Sequence, residues 1–205
     1  MLKVGLTGSI AVGKTFVCDI FRELGCHVLD ADKTARDVVA RGTAGLHLII
    51  DEFGGGVLLP TGDLDRKKLG SIVFDDEEKR QRLNAIVHPL VIAAQDQWIC
   101  DVEAADANGI AIIDAALMIE SGGYKRFEKL IVVWCEPAIQ LKRLMSRDGL
   151  DQGEAEKRIA AQMSQEEKKG FADYLIDTSG SRDDTKANAT RIFSDLTELG
   201  LKQLR

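Results

Sequence analysis

Eight consecutive residues, Gly8 to Thr15, read GSIAVGKT and match the pattern G-x-x-x-x-G-K-[ST] at every fixed position. The chemistry of such a loop is anion binding by geometry. Gly8 and Gly13 leave room for a backbone that turns around a phosphate, while the amides of Ser9, Ile10, Ala11 and Val12 and the following helix N-terminus aim at its oxygens. Lys14 is spaced to reach β and γ phosphates, and the Thr15 hydroxyl to hold Mg²⁺, so the expected ligands are ATP and magnesium. The dinucleotide pattern G-x-G-x-x-G is absent, and NAD would give the lysine nothing to do.

Transfer of a phosphoryl group needs carboxylates. The stretch HVLDADKTARD places Asp30 and Asp32 one residue apart at the exit of an apolar run. Asp32, the outer one, is suited to take a proton from an attacking hydroxyl and hold it in line with the γ phosphorus; alternatively it N-caps the helix that follows. Arg36 lies four residues on, placed to steady that carboxylate or to meet a substrate anion. Asp114 closes IAIID and is either a Walker-B-like partner for the magnesium or an acceptor for loop amides. Glu120, six residues later, caps a turn or holds the substrate region. Arg143, Arg147 and Arg158 surround a charged segment, where guanidinium forks suit phosphate oxygens and ion pairing along a solvated helix is the alternative. His88, beside Pro89, meets a ligand or is structural. His27 and His47 offer no metal-ligand spacing.

Positioning these groups requires an α/β layer. KVGLT, the glycine loop and the helical spacing of Phe16, Val17, Ile20, Phe21 and Leu24 read as strand, loop and helix, and Gly25 then leads to a second strand, HVLD. From about 33 to 105 the pattern is mostly helical, broken by FGGGVLLPTGDLD, with a long amphipathic helix expected from Glu77 to Ala105. A crossover that long exceeds what a βα unit needs and reads as a helical insertion. GIAIIDAALMI and KLIVVWCEP are continuous apolar runs expected as central parallel strands. Pro137 suits the first turn of a helix. Residues 147 to 170 carry little apolar surface and are expected to act as a flap, with Ile159 and Met163 on one face. DYLID is the last expected strand, TSGSRDD a turn and cap, and Lys186 to Leu204 a closing helix.

The composition is that of a globular chain. It has 205 residues, 45% of them hydrophobic, with 27 Lys and Arg against 33 Asp and Glu, a formal net charge of -6. An acidic balance argues against a broad hold on nucleic acid. Cys18, Cys26, Cys100 and Cys135 show no C-x-x-C spacing, so a reducing, cytoplasmic setting is expected. The N-terminus turns to glycine too early for a signal peptide, and no apolar run approaches 18 residues, so no membrane association is expected.

Taken in order, VGLTGSIAVGKT, LDADKTAR, the HP pair at 88 and 89, LMIE at 117 to 120, LKRLMSRDGL with AEKRIAAQM, and ADYLIDTSG resemble the dephospho-CoA kinase family over essentially the whole chain. The loop alone would name only a superfamily; the ordered set is far more specific. The resemblance implies transfer of the γ-phosphoryl group of ATP to the 3′-hydroxyl of dephospho-CoA, the last step of coenzyme A synthesis. It also implies one P-loop kinase domain, with a parallel sheet flanked by helices (about 1–31, 106–142 and 171–205), a helical CoA-binding region (32–105) and a helical lid (143–170). By the same resemblance Asp32 is the catalytic carboxylate, Lys14 and Thr15 contact phosphate and magnesium, and Arg143 is a phosphate ligand at the lid's base with Arg147 near it. His88, Arg36, Leu117, Glu120 and Arg158 fall on the acceptor side, and Ser179 and Gly180 beside adenine. A monomer is expected, with an oligomer left open. The chain departs from the family pattern at Ser9, Ala11 and Val12 in the loop, at Ala116 where proline is usual, and at Thr178 where asparagine is usual. A nucleoside kinase would share the loop but not need so long an insertion, and a guanine-nucleotide switch would need an N-K-x-D run that is absent.

Overall fold

The structure is a computed structural model describing residues 1–74 and 76–203. Five strands, β1 (Leu2–Thr7), β2 (His27–Asp30), β3 (Ile110–Asp114), β4 (Lys129–Trp134) and β5 (Tyr174–Asp177), form one parallel sheet in the order β2-β3-β1-β4-β5. The central β1 pairs with β3 from Leu2↔Ile110 to Leu6↔Asp114 and with β4 from Val4↔Lys129 to Thr7↔Val132. On the flanks Asp30 falls opposite Asp114 and Asp177 opposite Trp134. Because all strands run one way, Thr7, Asp30, Asp114 and Asp177 reach the same edge, where open α/β sheets bind ligands.

The chain divides into two compact units, Met1–Asp30 with the chain from Asp101 onward, and Ala31–Cys100. In the first, β1 continues into the glycine loop and α1 (Lys14–Glu23), which buries Val17, Cys18, Ile20 and Phe21. Those side chains share a core with Leu6, Ile112, Ile131 and Ile176 of the sheet and with Ala189, Ile192 and Leu196 of the closing helix. Each fully buried aliphatic or aromatic side chain contributes roughly 1.5–3 kcal/mol, so this cluster is what holds the strand ends in place.

The second unit contains α2 (Ala31–Asp37), α3 (Ala44–Phe53), α4 (Arg66–Phe74) and most of α5 (Glu77–Ala105). Thr43, Asp65 and Asp76 cap α3, α4 and α5 by accepting the N–H groups of Leu46, Lys68 and Lys79. Its own core gathers Val39, Leu46, Ile49, Val57 and Leu69, with Leu83, Ile86 and Val87 of α5 against them. The glycine-rich break between α3 and α4 folds into a 3₁₀ turn and a Leu58↔Leu64 bridge.

After β4 come α6 (Pro137–Asp148), with Pro137 in its first turn, then α7 (Gln152–Ala160), α8 (Gln165–Lys169) and α9 (Arg182–Gln203). Two expectations shift. The apolar run GIAIIDAALMI leaves the sheet at Asp114: Ala115 makes a last bond to the Leu6 carbonyl, and Met118 and Ile119 are buried by turns. A continuous apolar run does not say how it is buried. The closing helix starts at Arg182, not Lys186, because Ser181 and Asp184 cap it reciprocally; Leu204 lies outside the described residues. No helix among the described residues is long and apolar enough to cross a membrane.

Candidate active site

Two glycines shape the phosphate loop, one by close packing and one by its backbone conformation. A side chain at Gly8 would place its Cβ 2.5 Å from the Val133 carbonyl oxygen, and Gly13 has a φ of 89°. Ala11 has a φ of 61°, a left-handed conformation that costs an L-residue roughly 1–2 kcal/mol. Val12 is fully buried and belongs to the main core, so that departure turns the loop's side chain inward as packing. Ser9 donates weakly to the Met163 carbonyl at 3.4 Å.

Lys14 opens α1 and its ammonium is ion-paired with Asp114 at the end of β3. The sheet register explains the meeting: Asp114 is opposite Leu6, one residue short of the end of β1. Both side chains are largely buried, 17% and 11% exposed, so each charge depends on the other. Beneath them the Cys18 thiol is pushed far above its ordinary value, first by burial and then by the Asp114 charge. Thr15, also in the first turn, is exposed.

Arg143 on α6 turns toward the sequence after β5. It donates to the Thr178 hydroxyl at 2.9 Å and the Thr178 carbonyl at 2.7 Å. The Thr178 hydroxyl in turn donates to the Val12 carbonyl at 2.6 Å. Threonine at this departure from the family pattern therefore ties the guanidinium to the phosphate loop. Ser179 accepts the Glu136 N–H at 2.8 Å, fixing the turn against the start of α6, and Gly180 lies beside Asp184 of the α9 cap.

The other two arginines collect elsewhere. Arg147 and Arg158 both reach Asp148, at 2.7 and 2.9 Å, and hold its carboxyl below the usual range. Glu120 pairs with Lys168 at 2.9 Å and accepts the Met163 N–H at 3.3 Å, while Leu117 stands half exposed. Asp32, Arg36 and His88 belong to the second unit, and all three are exposed. Since α2 begins at Ala31, Asp32 sits inside its first turn, not at the cap, and Arg36 follows one turn on.

Several residues escaped the sequence reading. Gln140 and Gln162 hold both peptide groups of Ile10, and Gln165 holds Gln140. Lys168 has a fully buried side chain. The only signal for Gln140 was its phase: it shares the buried face of α6 with Leu144, four residues away.

A phosphate loop after a central strand, a lysine–aspartate pair beneath it and an arginine tied to the loop from α6 are shared by many phosphotransferases, so the sequence match must choose among them. The family model for dephospho-CoA kinase matches residues 2–184. A dephospho-CoA kinase of Bacillus licheniformis is 47% identical over 190 residues, covering 91% of this chain and 92% of the relative. A dephospho-CoA kinase domain-containing protein of Danio rerio is 45% identical over 97% of this chain and 86% of its own. The solved dephospho-CoA kinase from Campylobacter jejuni superposes with a TM-score of 0.64 at 27% identity, covering 96% of this chain and 97% of that one. The likeness extends from the loop through the turn after β5, and on that extent the chain belongs to the dephospho-CoA kinase family.

Proposed function

We propose that the protein transfers the γ-phosphoryl group of ATP to the 3′-hydroxyl of the ribose of dephospho-CoA, giving CoA and ADP. The observation that carries this reading is the Lys14–Asp114 pair at the exit of the central strands, in a chain whose family match runs over residues 2–184. Lys14 gathers phosphate oxygens when a nucleotide enters, releasing Asp114 toward the metal side. Magnesium fits the donor set, because the Thr15 hydroxyl and the Asp114 carboxylate are hard oxygen donors. Among the described residues no three His, Cys, Asp or Glu side chains form a metal cage, and an ion held largely by water and phosphate needs none. Held by Thr15 and Asp114, magnesium would supply charge neutralisation to the transferring phosphoryl group.

Asp32 is the proposed base. It accepts the proton of the attacking ribose hydroxyl and orients that oxygen in line with the γ phosphorus. Arg36 steadies its carboxylate or meets the acceptor's phosphates, and His88, Leu117, Glu120 and Arg158 line the acceptor side. Arg143 stabilises the transferring group, Arg147 adds to the phosphate field, and Ser179 and Gly180 border the adenine. Within one domain, residues 32–105 form the CoA-binding region and 143–170 the lid, with the nucleotide-binding core at about 1–31, 106–142 and 171–205. Four free cysteines suit a reducing cytoplasm.

The test is a product assay with ATP, Mg²⁺ and dephospho-CoA, run beside Asp32→Asn. The wild type forms CoA, and D32N binds both ligands while its turnover falls about 10²–10⁴-fold. Unchanged turnover in D32N removes Asp32 as the base. Transfer to a simple nucleoside with no CoA formed would overturn the acceptor.

A further inference from the structure

Residue Ile10 of the phosphate loop is gripped on both of its peptide groups by side chains from far along the chain. Its N–H donates to Gln162 Oε1 at 2.8 Å, and its carbonyl accepts from Gln140 Nε2 at 2.8 Å. Gln140 is 2% exposed, its own oxygen accepts from Gln165 Nε2 at 2.8 Å, and Gln165 Oε1 accepts the Cys135 N–H at 2.9 Å. This relay has only one polarity. A backbone N–H can only donate, so the Gln165 oxygen must face Cys135, its NH₂ must face the Gln140 oxygen, and the Gln140 NH₂ must face the loop.

The carbonyl that Gln140 holds belongs to the peptide between Ile10 and Ala11. Ala11 is the one non-glycine residue with positive φ among the described residues. A half-turn of that peptide plane would carry the φ of Ala11 from 61° to about −119°, out of the left-handed range, and relieve its Cβ clash. It would also reverse the Ala11 N–H, one of the amides of the phosphate cradle. Strain at Ala11 thus favours a loop that binds phosphate badly, and a buried hydrogen bond opposes it.

We infer that Gln140 is a positioning residue for phosphoryl transfer: it locks the Ile10–Ala11 peptide in the phosphate-binding orientation against the strain at Ala11. Gln165 sets its polarity, and Gln162 secures the preceding peptide. A neutral amide suffices, since the carbonyl needs a donor and no added charge. The inference rests on the kinase reading only for its use in catalysis; the nucleotide cradle itself is what it describes.

The experiment is a double-mutant cycle on the full chain, read by equilibrium binding of ATP and ADP. Gln140→Met keeps length and volume but cannot donate, and is expected to weaken both nucleotides about tenfold, the size of one lost buried hydrogen bond. Introduced into an Ala11→Gly background, where the left-handed conformation carries no strain, the same substitution is expected to weaken them by about threefold or less. In turnover, Q140M raises KM for ATP while KM for dephospho-CoA stays within about twofold, a split that general loosening of the fold would not give. An undiminished loss in the glycine background overturns the inference, as does no loss in either. If Q140M does not fold, Gln165→Met keeps the Gln140 side chain but releases its amide, and must show the same rescue by A11G. A chain that made no CoA yet showed the rescue would fail on its acceptor alone; one that made CoA without the rescue would fail on this inference alone.

Discussion

Lys168 and Glu120 form an ion pair whose two halves are unequally buried, and the inequality predicts which deletion hurts more. The Lys168 ammonium is fully buried, donates to the Ala116 carbonyl at 2.8 Å and pairs with Glu120 at 2.9 Å; the Glu120 side chain is 24% exposed. Lys168→Met removes the charge and keeps the stem's packing. What it leaves behind still has partners, since Glu120 accepts the Met163 N–H and reaches water, and the Ala116 carbonyl keeps the Thr7 hydroxyl at 3.2 Å. The cost should therefore fall below the roughly 3–5 kcal/mol of a broken, fully buried pair, at about 2 kcal/mol. Glu120→Gln strands an ammonium with no access to water and no countercharge, and should cost about 3–4 kcal/mol. The double variant has no charge left to strand, so it should cost no more than K168M alone. Urea unfolding of the four proteins measures these differences, and about 2 kcal/mol corresponds to a fall in Tm of roughly 4–8 °C for a chain of this size. K168M proving as damaging as E120Q, or the two costs adding in the double variant, would refute the reasoning.

Gly8→Ala drives a Cβ to 2.5 Å from the Val133 carbonyl and 2.9 Å from Val12. The first obstacle is backbone of a central strand, so the loop must move; a loss of about 2 kcal/mol or more and a sharp drop in ATP affinity are expected, and wild-type values for both would contradict the packing. Of the four thiols only Cys100 is exposed, so a thiol reagent should titrate one group in the native protein and four in denaturant. Burial pushes the Cys26 thiol from 9.0 up to about 12. Its neutral form is favoured by folding, so this contribution is intact below about pH 9 and drains away as pH rises toward 12. Urea midpoints taken from pH 8 to 10.5 should fall less steeply in Cys26→Ala than in the wild type; parallel slopes would exclude Cys26 as a source.

What the sequence made legible and what it hid divide by the distance over which each constraint acts. Gly8, Gly13, Lys14 and Thr15 shape the loop within eight contiguous residues, so their spacing is a pattern that can be matched. Asp114 was legible as the carboxylate that closes the apolar run IAIID, and parallel pairing does the rest. Lys168 was hidden by its neighbours: the run QEEKK looks like a solvated helix, and Glu166 and Glu167, the two residues before it, are exposed while Lys168 is not. Arg147 and Arg158 were legible as phosphate-binding types, but no local pattern announced that Asp148 would gather both. The glutamines were hidden more deeply. An amide carries no charge to stand out in composition, and Gln140 meets Ile10 across 130 positions. Its value depends on a backbone angle at Ala11 that no residue type specifies. Where the loop gives up glycine, some donor must hold the peptide that glycine would have left unstrained; the same logic makes Thr178, which bonds the Val12 carbonyl, part of the loop's support. A departure inside a phosphate loop is therefore best interpreted together with whatever side chains bond its carbonyls, because the amides bind the ligand and the carbonyls decide where those amides point.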